Sequence, residues 1–515
     1  MRARDRVGSG AALLLGGFVL LSGCTDSSPM PAPEPPTVDL RVMTFNIEYG
    51  GEEVDFSGVP KAIRAADADV VAVGEGYGNI PRLAAALGWA YYDVRSQVVS
   101  RLPLLTPPGS EALRLPPGAR TTDGRAVLVE VEPGRVAAIV NVHLPSSRYS
   151  PFAVDKGASA DEVLAVERRI RVPELRRGAR IARELVADRI PVFLLGDFNA
   201  PSSLDWTIKT VGLREHIRFP VRWPTTELLD ASGLVDSYRA IHPDPVAHPG
   251  LTWPASRPFV EGYNPGPNGA AADRIDLLFS GGPARATQSD VVGEAGSPLS
   301  DIVVSPWPTD HRAVVSQFEV TPAPTPTLVS VSSRLVSVGR SLSVTYADAN
   351  AGAEAVQITA VDDDRRVIRR QLTDPAGGVE MIDTDALPAG AYAAGLLGTD
   401  GALLAEMPFW VEPRGARPHL QAGRRPYSRG QPVEVSWRWA PGNRNDWIGI
   451  YRHGADPEVA YYLGWGYIGS EIVGSATIGA HTTGLPWPLP SGRYTAYLLR
   501  DDSYDALARA DFTVR

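Results

Sequence analysis

Residues 194–202 read LLGDFNAPS, and the first 320 residues are organised around them. Residues 192–195 are all apolar and predict a short buried strand, which the following glycine, asparagine and proline bring to an end. Because side chains alternate between the two faces of a strand, we expect Asp197 and Asn199 on the same face. Their carboxylate and carboxamide could hold a water and a metal-bound phosphate oxygen. Alternatively, they form an Asx turn that closes the strand.

Five further predicted strands between residues 39 and 320 carry polar side chains at one end. The strands are predicted at residues 41–47, 69–75, 137–144, 274–279 and 310–315, and the polar residues are Asn46, Glu75, His143, Asp276, Asp310 and His311. Helical patterns at residues 59–66 and 174–188 lie between strands, and the arginines of the second are interpreted as a solvated helix face. Strands and helices mixed in this proportion indicate two packed sheets with helices outside.

These strand-end residues form a chemically coherent set. With Asp197 and Asn199 they comprise four carboxylates, two amides and two imidazoles. Their oxygen atoms suit Mg²⁺ or Mn²⁺, whereas the single cysteine of the chain disfavours a structural zinc site. Carboxylates gathered in one pocket would raise each other's pKa unless a metal or a cationic partner offset their charge. His311 precedes an apolar run, so we expect it at the mouth of a sheet, where Asp276 could orient its ring.

Six motifs of this part of the chain resemble one known superfamily. TFNIEYG, VVAVGEG, VNVHL, LLGDFNAP, RIDLLFS and TDHRAVV, in this order, resemble the motif series of the endonuclease/exonuclease/phosphatase superfamily. That superfamily includes pancreatic-type deoxyribonucleases, apurinic endonucleases, bacterial sphingomyelinases and inositol-polyphosphate phosphatases. The resemblance covers residues 39–320. It implies a four-layer α/β sandwich with a divalent-metal site at one edge of the two sheets.

The resemblance also implies which residues bind the metal and the substrate. Glu75 would be the principal metal ligand, with Asn46 beside it and Asp310 as a further ligand. The family commonly has glutamine before this glutamate, and Gly74 stands there instead, so part of the local hydrogen bonding must differ. Arg101 lies in a stretch that resembles a common segment of the family. It is either a phosphate-contacting arginine or a surface arginine that precedes Leu-Pro.

The same resemblance assigns catalytic roles to five residues. Asp197 would orient or deprotonate the attacking water, and Asn199 would position Asp197 and the phosphate. His311, paired with Asp276, would bind the phosphate or transfer a proton. His143 would stabilise the pentacovalent phosphorus. The chemistry implied is an in-line displacement, in which a metal neutralises developing charge and fixed hydrogen bonds hold the geometry.

The N-terminal residues resemble a bacterial lipoprotein signal peptide. Three arginines precede the apolar residues 11–21, which are too few to span a membrane, and Leu-Ser-Gly-Cys ends at Cys24. In such a lipobox the cysteine becomes the lipidated first residue, and the alternative is an ordinary secretory signal with an incidental cysteine. We therefore expect a signal peptide at residues 1–23, a disordered tether at 24–38 and an extracytoplasmic, membrane-anchored protein.

The 515 residues suffice for about three domains. The proline- and threonine-rich residues 321–327 predict a stiff linker without regular structure, and short alternating runs after it indicate all-β structure. LPAGAYAAGLLGTD at 387–400 matches LPSGRYTAYLLRDD at 489–502, an internal repeat that is one domain long. The predicted domains are the α/β domain at 39–320, the linker at 321–327, and two immunoglobulin-like β-sandwiches at 328–413 and 414–515.

These observations predict a lipid-anchored, metal-dependent phosphodiesterase that acts on nucleic acid or a phospholipid head group, with no obligate protein partner. The net charge of −9 disfavours a duplex-DNA binder without excluding one. One alternative is a phosphomonoesterase of the same superfamily. Another is a non-catalytic lipoprotein whose β-sandwiches bind a surface. Five aromatic residues are interpreted as sandwich core, the alternative being a binding patch: Trp447, Tyr461, Tyr462, Trp465 and Tyr467.

Overall fold

The structure, a computed structural model, describes residues 36–107, 126–255, 271–423, 426–479 and 487–515. Cys24, the signal peptide and the tether up to residue 35 lie outside the described residues. Residues 37–515 form one compact unit. None of the helices in the described ranges is both long enough and apolar enough to cross a membrane.

Two sheets with helices make up the first part of this unit. Its described strands are β1 (Val38–Asn46), β2 (Val70–Gly74), β3 (Tyr91–Asp93), β4 (Val98–Ser100), β5 (Leu104–Leu105), β6 (Ala126–Glu132), β7 (Arg135–His143), β8 (Val192–Asp197), β9 (Val235–Asp236), β10 (Asp276–Gly281), β11 (Ala284–Glu294), β12 (Ile302–Val304) and β13 (Ala313–Val320). Its described helices are α1 (Glu48–Gly51), α2 (Gly58–Ala65), α3 (Ile80–Leu87), α4 (Ser150–Asp155), α5 (Ala160–Ala187), α6 (Pro224–Asp230) and α7 (Ser237–Ile241).

Both sheets are mixed. The first has the strand order β12-β11-β13-β1-β2-β4-β3, and β1 runs parallel to β2 and antiparallel to β13. The second has the order β5-β6-β7-β8-β10-β9, and β8 runs parallel to β7 and antiparallel to β10. These pairings bring the ends of β1, β2, β7 and β8 that carry polar residues to one edge of the sheets.

Apolar side chains that alternate along the strands form one core between the two sheets and a further core on the outer face of each sheet. Phe193 of β8 and Phe318 of β13 meet between the sheets, with ring centroids 4.6 Å apart. Apolar residues of α2 and α3 pack on the outer face of the first sheet. Those of α5 pack on the outer face of the second. The layers are therefore helix, sheet, sheet, helix, and the predicted four-layer sandwich is confirmed.

Helix α5 is much longer than predicted. The predicted helix at 174–188 is the second half of this 28-residue element. Pro173 lies inside the helix and makes its middle resemble a break in the sequence pattern. A capping box at the first turn, formed by Ser159 and Glu162, defines the true start. Arg176 and Arg180 are exposed, in agreement with the predicted solvated face.

The prediction that residues 321–327 contain no regular structure is wrong. Strand β14 (Ala323–Pro324) pairs with the first two residues of β7. Strand β8 begins to pair with β7 only at Ala138, so this edge of β7 is open to another partner. Proline is tolerated on a short edge strand because one side of it needs no N–H donor. Leu328 then packs in the same core as α5, so the chain continues along the surface of the first part.

Two β-sandwiches follow. The first contains β15 (Leu328–Val331), β16 (Leu335–Ser337), β17 (Ser341–Ala347), β18 (Ala353–Ala360), β19 (Arg366–Gln371), β20 (Gly377–Asp383), a 3₁₀ turn (Thr384–Ala386), β21 (Gly390–Gly398) and β22 (Leu403–Glu412). The second contains β23 (His419–Ala422), β24 (Val433–Arg438), β25 (Trp447–Arg452), β26 (Gly464–Tyr467), β27 (Gly474–Ile478), β28 (Gly492–Leu499) and β29 (Ala506–Val514). In the described residues, their sheets have three and five strands, and three and four strands.

The internal repeat corresponds to equivalent strands of the two sandwiches. The Tyr392 hydroxyl donates to the Pro388 carbonyl at 2.7 Å, and the Tyr494 hydroxyl donates to the Pro490 carbonyl at 2.6 Å. The predicted all-β structure is confirmed, whereas the domain boundaries remain predictions. Of the five aromatic residues above, Trp447 is buried, but Tyr461 is 80% exposed, so the interpretation as sandwich core holds for only part of the group.

Candidate functional site

Strand alternation directs three polar side chains into the space between the sheets. Leu195 of β8 and Leu278 of β10 belong to the core between the sheets. Asp197 and Asp276 lie two residues away on the same strands and therefore on the same faces. They are directly paired across the antiparallel ladder. Asn46 lies on the corresponding face of β1, so the ends of three strands bring their polar groups together.

Asn46 connects the two sheets at this edge. Its Nδ2 donates to Glu75 Oε1 and to Asp197 Oδ2, both at 3.1 Å, and lies 3.4 Å from His311 Nε2. Its Oδ1 accepts the backbone N–H of Glu48 at 3.0 Å. Asn46 therefore presents an N–H donor to the carboxylates, and its role as a metal ligand remains a prediction. The backbone N–H of Glu48 holds the carboxamide oxygen away from the centre.

His311 and Asp276 form a buried pair, as the sequence suggested. His311 Nδ1 lies 2.8 Å from Asp276 Oδ2, while Nε2 lies 3.8 Å from carboxylate oxygens of Asp197 and Asp310. Burial opposes a positive charge on His311, but the neighbouring carboxylates and the hydrogen bond to Asp276 outweigh it and raise its pKa well above the ordinary value. With Nδ1 held by Asp276, the ring turns its Nε2 toward Asp197 and Asp310.

Asp197 is the most enclosed acid of the group. Burial raises its pKa to about 6, with the positive charge of His311 opposing this and the charge of Asp276 adding to it. Asn199 donates to it twice, from the backbone N–H to Oδ1 at 2.7 Å and from Nδ2 to Oδ2 at 3.1 Å. The first of these contacts forms the predicted Asx turn, and both orient the carboxylate. A carboxylate with this pKa is suited to general-base chemistry near neutral pH.

Gly196 is required for the approach of β7 to β8 beside Asp197. Its φ is +143°, and a Cβ atom added there would lie 1.7 Å from the Val142 carbonyl oxygen. Only glycine accommodates this contact. The glycine of the LLGDFN motif thus has a steric role next to the acid.

Glu75 and His143 lie at the solvent side of the cluster. The Glu75 side chain is 22% exposed and that of His143 is 30% exposed, compared with 2% for Asp197. His143 Nε2 lies 3.6 Å from Asp197 Oδ2 and 4.0 Å from Glu75 Oε1. Asp310 completes the group, and its Oδ2 accepts the indole N–H of Trp253 at 2.9 Å. A ligand can therefore enter from the side of Glu75 and His143.

The structure does not bring Arg101 to this edge. Its guanidinium contacts Asp67 at 2.9 Å and Asp69 at 3.6 Å. Asp69 precedes the first residue of β2, whereas Glu75 follows the last, so Arg101 lies at the opposite end of the strand. This position favours the alternative of a surface arginine over a phosphate-contacting one.

Sequence reasoning missed two contributors to the site. Glu48 is buried, and its Oε2 accepts the backbone N–H of Asp310 at 3.0 Å. Its position two residues after Asn46 in the first motif was a usable signal. The second contributor is a turn of the C-terminal sandwich at residues 500–502, for which the local sequence carries no signal.

The donors of this site fit a divalent, oxygen-preferring cation. Asp197, Asp276 and His311 offer ligand atoms within 4.8 Å of one another. Among the described residues, Asp276 Oδ1 is buried without a hydrogen-bond partner, which is unfavourable unless a cation or water completes it. Glu75 and Asp310 supply further carboxylates. The buried trio is thus one ligand set, and Glu75 and Asp310 are further candidate ligands.

The chain belongs to the Endonuclease/Exonuclease/phosphatase family, whose family model matches residues 43–311. It therefore has the fold of a metal-dependent phosphoester hydrolase, and the predicted family is confirmed. Uncharacterized protein F14F9.5 of Caenorhabditis elegans is 31% identical in an alignment of 299 residues that covers 54% of this chain and 91% of that protein.

Two solved structures are also similar to this chain. The endonuclease/exonuclease/phosphatase from Beutenbergia cavernae DSM 12333 is 19% identical, covering 72% of this chain and 99% of that chain with a TM-score of 0.32. The Xenopus laevis APE2 catalytic domain is 15% identical, covering 55% of this chain and 93% of that chain with a TM-score of 0.32. The roles of the individual site residues remain predictions.

Proposed function

We propose that this protein is a phosphodiesterase that uses Mg²⁺ or Mn²⁺. The observation that carries the proposal is the environment of Asp197. This buried carboxylate is oriented by Asn199 and Asn46 and faces two imidazoles, those of His143 and His311. Such a carboxylate can hold and deprotonate a water while the imidazoles interact with the phosphoryl group that the water attacks.

Each group has a defined task in this mechanism. Asp197 orients the attacking water and accepts its proton. His311, held by Asp276, presents an Nε2 proton to a phosphoryl oxygen or to the leaving oxygen. His143, partly open to solvent, hydrogen-bonds an oxygen atom of the pentacovalent phosphorus centre. A bound Mg²⁺ or Mn²⁺ would supply charge neutralisation for the phosphoryl oxygens, and Glu75 and Asp310 would hold it.

The charge of the site favours a diester over a monoester. Among the described residues around Asp197 and Glu75, the imidazoles of His143 and His311 face several carboxylates, so acidic groups outnumber basic ones. A phosphomonoester carries between one and two negative charges near neutral pH, because its second pKa is about 6. A diester carries one and is repelled less. We therefore propose a nucleic acid or a phospholipid head group as the substrate.

The proposal predicts metal-dependent hydrolysis of diesters. The full chain should hydrolyse bis(p-nitrophenyl) phosphate faster than p-nitrophenyl phosphate in Mg²⁺ and lose the activity in EDTA. Parallel assays with DNA and sphingomyelin distinguish between a nucleic acid and a phospholipid head group as the substrate. A higher rate on the monoester would favour the phosphomonoesterase alternative. Absence of hydrolysis of all four compounds with either metal would favour the surface-binding alternative.

The metal ligand is tested by Glu75→Gln, which keeps the shape of the side chain but removes its charge. We expect the Mg²⁺ concentration for half-maximal activity to rise by at least the roughly 10–100-fold that loss of an outer-shell partner costs. Excess Mg²⁺ should restore part of the rate. Glu319→Gln, an exposed acid on β13, is the control. If Asp276→Asn reproduces this metal requirement and Glu75→Gln does not, the buried trio holds the metal.

We further propose that Cys24 anchors the mature protein to a membrane through an attached lipid, on the extracytoplasmic side. The support is the position of the only cysteine directly after Leu-Ser-Gly. Cys24→Ser should move the protein from the membrane fraction to the supernatant, and the mass of the native protein should include acyl chains. A variant that stays with membranes, together with an unmodified native mass, would contradict the anchor.

A further inference from the structure

A turn of the second β-sandwich lies against the loop that carries Glu75. Asp501 Oδ2 accepts the backbone N–H of Gly78 at 2.7 Å, and both Asp501 oxygens accept from Gln97 Nε2, at 3.1 and 3.2 Å. Asp501 is 1% exposed. Gly78 has a φ of +81°, and a Cβ atom added there would lie 2.3 Å from Arg500 Cδ. The two surfaces are therefore in close contact.

A second pair of hydrogen bonds fixes the neighbouring loop. Arg444 donates from Nε to the Arg95 carbonyl at 2.7 Å and from Nη2 to the Ser96 carbonyl at 2.8 Å. The Ser96 carbonyl also accepts from Asn141 Nδ2 at 2.8 Å. The second sandwich thus contacts both loops beside the end of β2, and charged groups of the sandwich make these contacts.

The loop that follows β2 has a backbone that needs external support. Glu75 and Tyr77 have φ values of +54° and +46°, a region that residues with side chains seldom occupy. Such conformations persist where the surrounding structure holds them. The Glu75 carbonyl accepts the backbone N–H of Gly50 at 2.8 Å, which holds one end of the loop. Asp501, through Gly78, holds the other end.

The next residue of the turn is the half-buried Asp502. Asp502 accepts a hydrogen bond from the Tyr467 hydroxyl. Burial raises the pKa of Asp502 to about 6, and the charges of Glu75 and His143 are close enough to contribute in opposite directions.

We propose that Asp501 is a positioning residue for Glu75, so that the catalytic unit of this protein includes the second β-sandwich. Asp501 holds the backbone of residues 75–78 through Gly78, and it holds Gln97, whose carbonyl accepts the backbone N–H of Val73 in β2 at 2.9 Å. These contacts place the Glu75 carboxylate beside Asn46. The inference rests on the proposed function in one respect, the assignment of Glu75 as a metal ligand. Under this inference, the second β-sandwich shapes the metal site, although Asp501 lies more than 400 residues after Gly78 in the chain.

The test uses the full chain with Asp501→Ala, and with Gln97→Ala as a second variant that keeps the bond from Gly78 to Asp501. Hydrogen exchange of residues 75–80 should become faster in both variants without metal. Mn²⁺ binding without substrate, followed by electron paramagnetic resonance, should weaken by roughly 10–100-fold. The kcat at saturating Mn²⁺ should remain close to that of the wild type. Because both substitutions remove the contact between Asp501 and Gln97, their effects on Mn²⁺ binding should be less than additive in the double variant.

Asp348→Ala is the matched control. Asp348 is a buried aspartate of the first sandwich that accepts the backbone N–H groups of Asn350 and Gly352. This variant should leave exchange at 75–80 and Mn²⁺ affinity unchanged. The inference is overturned if exchange at 75–80 stays at the wild-type rate in both test variants, or if the control reproduces their effects. Faster exchange with wild-type Mn²⁺ affinity would also overturn it. A wild-type protein that binds no Mn²⁺ would instead refute the proposed metal site, while the exchange measurement still decides whether Asp501 holds the loop.

Discussion

Asp197→Asn should lower kcat on the order of 10²–10⁴-fold, the range expected for loss of a positioned general base. The asparagine keeps a polar group within reach of Asn199 and Asn46 but cannot accept a proton from water. Because the change leaves Glu75 in place, the Mg²⁺ concentration for half-maximal activity should change little, and added Mg²⁺ should not restore the rate. Steady-state kinetics on a diester over a Mg²⁺ titration measure both quantities.

Two neighbouring variants sharpen this prediction. His311→Ala should resemble Asp197→Asn, because it removes the imidazole that faces the same water and phosphoryl group. Asp276→Asn should be milder, because Asp276 acts on the reaction only by orienting His311. Wild-type hydrolysis by Asp197→Asn would refute the role of the base even though the family is established.

Arg274→Met should lower the free energy of unfolding by about 3–5 kcal/mol, the usual cost of removing one partner from a buried ion pair. The Arg274 side chain is fully buried. Its guanidinium contacts Asp205 at 3.0 Å and Asp236 at 2.7 Å. Methionine fills a similar volume but leaves Asp205 with Arg239 alone and removes the guanidinium from Asp236. Urea unfolding, monitored by tryptophan fluorescence, measures the change.

Arg285→Met is the matched control for this prediction. Arg285 pairs with Glu319 on the surface, where both side chains are largely exposed. Exposed pairs contribute about 0–1 kcal/mol, so this variant should unfold within about 1 kcal/mol of the wild type. Equal effects of the two substitutions would show that the buried network around Arg274 does not stabilise the fold.

Local rules predicted much of the four-layer part of the chain. Alternation along β1, β8 and β10 depends on neighbouring residues alone, and it correctly placed Asn46, Asp197 and Asp276 on the faces that meet. The pairing of His311 with Asp276 was also predicted. The length of α5 was not, because Pro173 breaks the local pattern although the helix continues through it. Packing of this helix on the second sheet outweighs the cost of the proline.

The sequence by itself determined the family, the strands that end at the site and the acids and imidazoles that they carry, because each depends on a motif or on a period of two residues. Only the tertiary structure decided that Arg101 lies at the far end of β2, and that Asn46 turns its N–H to the carboxylates. It also decided that Asp501 contacts Gly78, a residue 423 positions away. Such contacts depend on how separate elements pack, and the residues around Asp501 carry no local pattern that identifies a partner so distant in the chain.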